Sequence, residues 1–173
     1  MIDSNDPTWQ AFLAAAKDYI ELIDNSTGSD LVETCADLHS SLLELQLAAL
    51  DLPKTTADND DPAMVTEAKH ADRASLAQTF DMRYVMPEQV LVIPAGPGPA
   101  EVRDLSEDLA DIYDAMQDIL ALNDQRYLDD AAWQARGGYI EDWGYLVVSV
   151  QAALWKFVAE AAIDAEKQGN LSS

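Results

Sequence analysis

Basic side chains are scarce in this sequence, which has 10 Lys and Arg residues against 32 Asp and Glu residues. The basic residues are scattered singly, and no cluster of them could follow a phosphate backbone, so we expect no direct binding of nucleic acid. The formal net charge of -22 also repels anionic lipid surfaces. The same charge attracts cations and basic protein surfaces, which favours a basic protein as the partner.

Cysteine is almost absent, since Cys35 is the single one. One thiol excludes an internal disulfide, provides no cysteine pair for zinc and suits a reducing compartment. The first residues include neither a basic region nor an apolar run, so we expect no signal peptide. The most apolar stretch, 144–155, is too short to span a bilayer. We therefore expect a cytoplasmic protein without membrane contact.

Motifs for metals, cofactors and covalent catalysis are also lacking. The sequence has one Glu-x-x-His, Glu67 to His70, where a di-iron site needs two, and residues 58–61 lack the glycine and the closing glutamate of a calcium loop. No glycine-rich phosphate loop follows a strand. Cys35 lies one helical turn before His39, but no third residue would orient such a pair, and we expect an inert, buried thiol. We predict no metal and no cofactor.

Apolar residues are present in ordinary amount, 49% of the chain, and their spacing is helical nearly throughout. Asp6-Pro7, Asp30 and Asp104 each provide a capping side chain at the start of a helix. The helix near 63–83 has few apolar positions and is the short one. The predicted helices cover residues 7–24, 31–52, 63–83, 105–123 and 129–166.

Residues 84–99 interrupt the helical pattern. Their Val90-Leu91-Val92-Ile93 stretch is strongly β-prone, yet no second strand is evident to pair with it. The prolines of this segment disfavour a helix. We predict an irregular, extended segment that crosses over the helices.

The last predicted helix has apolar residues every seven positions, in two offset series. The series are Trp133, Ile140, Val147, Leu154, Ala161 and Trp143, Val150, Phe157. A helix that is apolar on most of its sides belongs in the centre of a bundle. Gly137-Gly138 within it predicts either a kink or a close-packing point. We predict an all-α single domain over residues 1–173, an antiparallel helical bundle of four main helices plus one short helix.

The predicted fourth helix bears a stripe of carboxylates beside its core face, formed by Asp104, Asp108, Asp111 and Asp118. Like charges one turn apart repel by about 1 kcal/mol in water, and a divalent cation bound by their oxygens would explain the stripe. A solvated face on an acidic protein explains it more simply. We take Asp104, Asp108 and Asp111 as candidate binding residues and assign no metal to them.

A second candidate group lies in the last helix and combines aromatic with charged side chains. It consists of Trp133, Arg136, Tyr139, Asp142 and Trp143. Trp and Tyr with buried rings and polar tips commonly line a pocket or an interface, and they are as common in plain cores. This group is the other place where we expect a binding site.

These features favour a non-catalytic binding or interaction protein whose acidic surface meets a basic protein partner. One alternative is an enzyme, a magnesium-dependent all-helical nucleotide hydrolase. For that function Asp108-x-x-Asp111 supplies one carboxylate turn, and no convincing second set follows on a neighbouring helix. Another alternative is a small-ligand-binding bundle with a pocket walled by Trp133, Tyr139 and Trp143. A homodimer through these aromatics would have to overcome the repulsion between two acidic protomers.

Several stretches together resemble a bacterial family known as domain-of-unknown-function family 5063. They are Leu105-Ser106-Glu107-Asp108-Leu109-Ala110-Asp111-Ile112-Tyr113, Trp133, Trp143-Gly144, Leu42-Leu43-Glu44-Leu45 and Leu50-Asp51-Leu52-Pro53. The resemblance covers most of the chain and implies an all-helical bacterial domain. It implies no activity. The family has a histidine before the Trp-Gly pair, where this chain has Asp142, which argues against proton transfer at that position.

Overall fold

The computed structural model describes residues 2–55, 68–85 and 102–171, and most of them are helical. The helices are α1 Pro7–Asp24, α2 Leu31–Asp51, α3 Arg73–Thr79, α4 Leu105–Asp124, α5 Leu128–Glu141 and α6 Trp143–Leu171. Two short strands, β1 Arg83–Val85 and β2 Val102–Asp104, lie between α3 and α4 in the chain. The predicted all-α class is confirmed.

The three capping aspartates begin helices as predicted. The Asp6 carboxylate accepts hydrogen bonds from the backbone N–H groups of Thr8 and Trp9, which opens α1 with Pro7 in its first turn. Asp30 does the same at the start of α2, and Asp104 at the start of α4. Each cap satisfies N–H groups that have no partner inside the helix.

The core is formed by the facing sides of α1, α2, α4 and α6, with α5 packed along α4 and α6. Its largest fully buried side chains are Trp9, Tyr19, Tyr113, Phe12, Phe80, Leu38, Leu42, Leu45, Leu105, Leu109 and Ile112. Helix α6 packs against α2, α4 and α5, and its Val147, Val150 and Leu154 are fully buried. The first half of α6 therefore lies in the core, whereas Trp155 and Ile163 of its second half are 64% and 51% exposed, so the predicted central helix is found only in part.

The last predicted helix is in fact two helices, α5 and α6, and this is a correction. The break lies at Asp142, whose φ of -135° and ψ of -89° are not helical. A Cβ at Gly144 would lie 1.9 Å from the carbonyl oxygen of Tyr139, so the first turn of α6 presses directly against the last turn of α5. Ile140, which the seven-residue series placed in the core, is 64% exposed.

The pair Gly137-Gly138 causes no kink, because α5 continues through both residues. A Cβ at Gly137 would contact the Trp133 indole at 3.7 Å, and one at Gly138 would lie 2.9 Å from Trp143. Of the two alternatives drawn from the sequence, the close-packing point is the one that the structure shows.

The segment before α4 also differs from the prediction. Strand β1 pairs antiparallel with β2, with Arg83 opposite Asp104 and Val85 opposite Val102. A partner strand therefore exists, but three residues are too few to produce an alternating pattern in the sequence. Residues 86–99, with the β-prone Val90–Ile93 stretch, lie outside the described residues. The predicted helix near 63–83 is reduced to α3, and 63–67 also lie outside.

Residues Trp143–Lys167 of α6 are long and apolar enough to cross a membrane, by length and composition alone. The expectation that the apolar stretch is too short was therefore wrong for the helix as a whole. About a third, 33%, of its most apolar part is buried inside the fold, including Val147 and Leu154. The core helix of a soluble protein can have the same length and apolar composition. The cytoplasmic location stays a prediction.

Candidate functional site

Three carboxylates of the α4 stripe, those of Asp104, Asp108 and Asp111, have separate partners. Asp104 caps the helix, accepting from the backbone N–H of Ser106 at 3.1 Å and from its hydroxyl at 2.8 Å. Asp108 is 1% exposed. It accepts hydrogen bonds from Arg103 Nε at 2.9 Å and from the Tyr84 hydroxyl at 2.5 Å. These contacts connect both strands of the hairpin to the first turn of α4.

The Arg103–Asp108–Tyr84 cluster also reaches α6. The Arg103 guanidinium lies 5.9 Å from the ring centroid of Tyr145, within the range of a cation–π contact. Burial raises the pKa of the Tyr84 hydroxyl well above its ordinary value, and the hydrogen bond to Asp108 acts in the same direction. The hydroxyl is therefore a fixed donor at neutral pH, and the cluster is a structural connection between β1, β2, α4 and α6.

Asp111 of the same stripe and two neighbouring carboxylates of α4 are bound by Arg73, which lies at the start of α3. Its guanidinium donates to Glu107 at 2.7 Å, to Asp111 at 3.0 Å and to Asp114 at 2.7 Å. Among residues 2–55, 68–85 and 102–171, no group of three or more His, Cys, Asp or Glu side chains could hold a metal ion. In the structure the stripe is an anchoring surface for the segment that carries Arg73.

Two members of the aromatic group join α5 to the end of α2. Arg136 donates to the backbone carbonyl oxygen of Ala49 at 3.1 Å and to that of Leu50, which have no partner within the last turn of their helix. Gln46 donates to the Tyr139 hydroxyl at 2.8 Å. Arg136 and Tyr139 therefore hold the helices in place and do not line the pocket formed by the rest of the group.

The other three members, Trp133, Asp142 and Trp143, meet at a pocket of about 340 Å³ between α4, α5 and the start of α6. We call this the tryptophan pocket. Its full lining consists of Ala115, Asp118, Ile119, Trp133, Gln134, Gly137, Gly138, Glu141, Asp142 and Trp143. At this size it is at the small end of ligand sites, which span roughly 300–1,000 Å³.

The two indoles of the pocket rest on the paired glycines of α5. The Trp133 ring lies against Gly137, one helical turn further on, and the Trp143 ring lies against Gly138. Trp133 is 38% exposed and Trp143 only 2%. The Trp143 ring is also fixed by an edge-to-face contact with Tyr139, with 5.1 Å between the ring centroids. Trp133 therefore offers most of the exposed aromatic surface of the pocket, whereas Trp143 is enclosed and its ring occupies the space left by Gly138.

The polar part of the pocket is acidic. Asp118 of α4 is half-buried, while Glu141 and Asp142 are exposed at the rim. Burial raises the pKa of the Asp118 carboxyl; Asp114 also raises it, and His70 lowers it. No Lys, Arg or His side chain belongs to the lining of this pocket in the described part of the chain. The Trp143 Nε1 is buried with no hydrogen-bond partner among the described residues.

Sequence reasoning missed some of these residues as site residues. Asp118 belonged to the recognised stripe, but only the fold shows that it faces α5 while Asp108 and Asp111 face Arg103 and Arg73. Gln134 gave no signal, since a lone glutamine in a helix is ordinary. Glu141 stands in the same aromatic and charged stretch as Asp142 but was not among the candidate residues.

A larger groove, of about 600 Å³, lies between the hairpin and α6 and is lined by residues that include Tyr84, Leu105 and Phe157. We assign no site to it.

The Cys35 thiol offers no nucleophile. It is fully buried in the core side of α2, and burial raises its pKa to about 11. Since the reactive form of cysteine is the thiolate, this environment keeps the side chain unreactive. The inert thiol expected from the sequence is the one that the structure shows.

Comparisons with known proteins agree with this architecture. The crystal structure of protein BF1032 from Bacteroides fragilis is similar over 88% of this chain and 92% of that one, with a TM-score of 0.69 and 20% sequence identity. At that identity the likeness shows the fold alone. The comparison with curated proteins found no match. A family model described as a domain of unknown function, DUF5063, matches residues 3–160, and the chain therefore belongs to that family.

Proposed function

We propose that this chain is a non-catalytic binding protein that recognises a basic protein partner, and that a cationic side chain of this partner enters the tryptophan pocket. The observation that carries the proposal is the composition of the lining. Two indoles and three carboxylates surround the pocket, and no basic side chain among the described residues belongs to it. A cation is the ligand that both kinds of wall attract.

The electrostatics favour this ligand at long and at short range. A net charge of -22 draws a basic surface towards the molecule and raises the rate of encounter. Inside the pocket, a cation over an aromatic face gains about 0.5–2 kcal/mol, with the larger value where water is excluded. A cation would also offset the cost of keeping Asp118 ionised in its half-buried position.

The α4 stripe is a weaker candidate for the same partner. Arg73 already donates to Glu107, Asp111 and Asp114, and Arg103 to Asp108. An incoming cation would have to displace these intramolecular partners. The magnesium-dependent hydrolase gains no support from the described residues for the same reason, because the carboxylates of Asp108-x-x-Asp111 are taken by arginines.

Calorimetric titration with a lysine-rich peptide tests the proposal. We expect binding at low ionic strength that weakens as salt screens the charges. Asp118→Asn should weaken it about fivefold or more, since a charged partner in a partly buried site contributes about 1 kcal/mol or more. The matched control is Asp37→Asn, which removes the same charge from an exposed position of α2 outside the pocket.

Equal losses in the two variants would show that the peptide meets the acidic surface without using the pocket. Absence of any binding at low salt would overturn the proposed function.

A further inference from the structure

We propose that an exposed apolar strip on α2 binds an amphipathic helix of a partner protein, a helix whose apolar face is bordered by Lys or Arg. The strip consists of Val32, Leu43, Leu47 and Leu50. None of these residues lines the tryptophan pocket. The inference therefore goes beyond the proposed function and does not depend on that pocket.

The strip follows one side of α2. At about 100° per residue, its four members fall within about 60° of one another around the helix axis, and they extend over about 27 Å along it. Their exposed fractions are 38%, 42%, 62% and 46%, in chain order. A single exposed leucine is ordinary, but a row of large apolar side chains aligned on one face indicates a contact surface.

The spacing of the three leucines fits a second helix. Leu47 follows Leu43 by four residues and Leu50 follows Leu47 by three, which are the steps of the apolar seam in a coiled coil. A partner helix with apolar residues at the same steps can contact the strip along its whole length. An extended strand, whose side chains alternate with a period of two, would not match it.

The charges beside the strip determine which helix fits. Glu33, Glu44 and Asp51 each directly follow a member of the strip in the sequence and are exposed, and α2 contains no Lys or Arg. None of the three carboxylates has an ion-pair partner among the described residues. The α4 stripe, in contrast, is bound by Arg73 and Arg103. Basic residues that border the partner's apolar face would pair with the free carboxylates, as charged residues do beside the seam of a coiled coil.

The same charges disfavour a second copy of this chain as the occupant. Two copies joined through α2 would bring the carboxylates beside both strips close together, on molecules that each have a net charge of -22, and like charges repel. An anionic lipid surface is repelled for the same reason. A basic helix retains the apolar contact and replaces the repulsion by attraction.

Calorimetric titration of the full chain with two peptides of about 18 residues, the length of the strip, tests the proposal. Both peptides have the same number of Leu and Lys residues. In one, the leucines recur every three or four residues and form a single face, and in the other they are distributed around the helix. We expect the first peptide to bind at least about tenfold more tightly and to become more helical on binding, as measured by circular dichroism.

Substitutions in the chain locate the contact. Leu47→Gln should weaken binding of the first peptide about tenfold, because Leu47 is the most exposed member of the strip. Glu44→Gln should weaken it about twofold to fivefold at low salt, and less at high salt. Ile163→Gln is the matched control and should leave the affinity unchanged, since Ile163 is 51% exposed on α6.

Equal affinities for the two peptides would overturn the proposal, because charge alone would then account for the binding. Equal losses in Leu47→Gln and Ile163→Gln would also overturn it. Sedimentation velocity of the chain alone tests the second copy, and a dimer that Leu47→Gln dissociates would assign the strip to self-association instead.

The same titrations separate this inference from the proposed function. Binding of the first peptide through Leu47, without binding of the lysine-rich peptide, would keep the strip as a docking surface and overturn the tryptophan pocket as the site. The reverse result would keep the pocket and overturn this inference.

Discussion

Three glycines near the break between α5 and α6 differ in what a Cβ would meet. At Gly137 it would meet the Trp133 ring at an ordinary distance, whereas Gly138 leaves space for the Trp143 indole and Gly144 leaves space for backbone. A missing Cβ matters most where the neighbour cannot move, and the carbonyl of Tyr139 is part of a helix. The position of Gly144 therefore determines whether α6 can begin immediately after α5.

Gly144→Ala is expected to destabilise the protein by about 3 kcal/mol, because overpacking against backbone cannot be relieved by a change of rotamer. Gly137→Ala is the control, since its Cβ would meet Trp133 at an ordinary 3.7 Å and alanine favours the helix by up to about 1 kcal/mol. Urea unfolding followed by circular dichroism measures both. Similar stabilities for the two variants would contradict the close approach at Gly144.

Asp118→Asn is expected to stabilise the fold slightly while weakening the binding of a cation. The pKa of this carboxyl is raised in the folded state, first by burial and then by Asp114, while His70 opposes the rise. The folded protein thus holds the proton more tightly, and its stability falls as the pH rises through the folded pKa. Replacing the ionised carboxylate by an amide should raise the free energy of unfolding by at most about 0.5 kcal/mol at neutral pH.

That gain should disappear in acid, below the ordinary pKa of about 3.9, where Asp118 is protonated in both states. Unfolding curves across this pH range check the sign, with Asp37→Asn as the control for loss of one exposed charge. Destabilisation by Asp118→Asn at neutral pH would show that the ionised carboxylate contributes to the fold instead.

Which residues form the site was only partly predictable. Trp133 and Trp143 were found because tryptophan is a rare residue whose ring commonly lines pockets and interfaces. Arg136 and Tyr139 lie between these two tryptophans in the sequence, but their side chains turn towards α2 and contact its C-terminal half. The direction in which a side chain leaves a helix follows from periodicity, but the neighbour that it meets follows from packing, which the sequence does not show.

At the scale of elements, the hairpin is joined to the helices through one buried carboxylate. Asp108 accepts from Arg103 of β2 and from Tyr84 of β1. Removing one partner of a buried ion pair typically costs about 3–5 kcal/mol. We expect Asp108→Asn to cost about 3 kcal/mol, the lower end, because a fifth of the Arg103 side chain stays exposed.

Asp111→Asn provides the comparison for that variant. Its carboxylate is exposed, and Arg73 retains Glu107 and Asp114 when it is lost, so a change within about 0.5 kcal/mol is expected. Denaturant unfolding measures the loss of stability in both variants. Equal effects would mean that burial of Asp108 does not distinguish it from the rest of the stripe.

Whether an element could be predicted depends on how far apart in the sequence the groups that determine it lie. Helices α1, α2 and α4 start at Asp6, Asp30 and Asp104 because a cap uses atoms two or three residues away. The β1–β2 pairing and the α5–α6 break depend on groups brought together by the fold. A three-residue strand and a helix restart leave almost no trace in the spacing of apolar residues.

For the whole molecule, self-repulsion is the dominant electrostatic term. The net charge of -22 is only locally offset, since several of the ion pairs are exposed and exposed pairs contribute little. Salt shortens the screening length from about 30 Å at 0.01 M to about 10 Å at 0.1 M. Added salt should therefore weaken the repulsion among the carboxylates more than it weakens the attraction within the exposed ion pairs.

We accordingly expect the midpoint of thermal unfolding, Tm, to rise by a few degrees between 0.01 M and 0.5 M potassium chloride. In a chain of this size about 1 kcal/mol corresponds to roughly 2–4 °C. Scanning calorimetry gives the value, and sodium chloride at equal concentration serves as the control for a specific potassium site. A falling Tm would show that ion pairs such as those of Arg73 outweigh the general repulsion.

The class of the fold was predictable because the pattern that indicates it recurs along most of the sequence. An apolar period of three to four residues, recurring from one end to the other, leaves a helical bundle as the consistent solution. The tryptophan pocket was not predictable, because it depends on α4 and α5 coming together around Asp118 and the glycine pair. Distant residues that converge in space carry no local pattern.

The thiol of Cys35, the single cysteine of this sequence, can report how often the core opens. Enclosed in the core and slow to ionise, it can be alkylated only when α2 separates from its neighbours. The rate of modification by a small maleimide or iodoacetamide thus reports how often the interior opens, with no added dye and no second thiol to confuse the signal. Any ligand that binds only the closed form must lower the rate of alkylation in proportion to the fraction of the protein that it occupies.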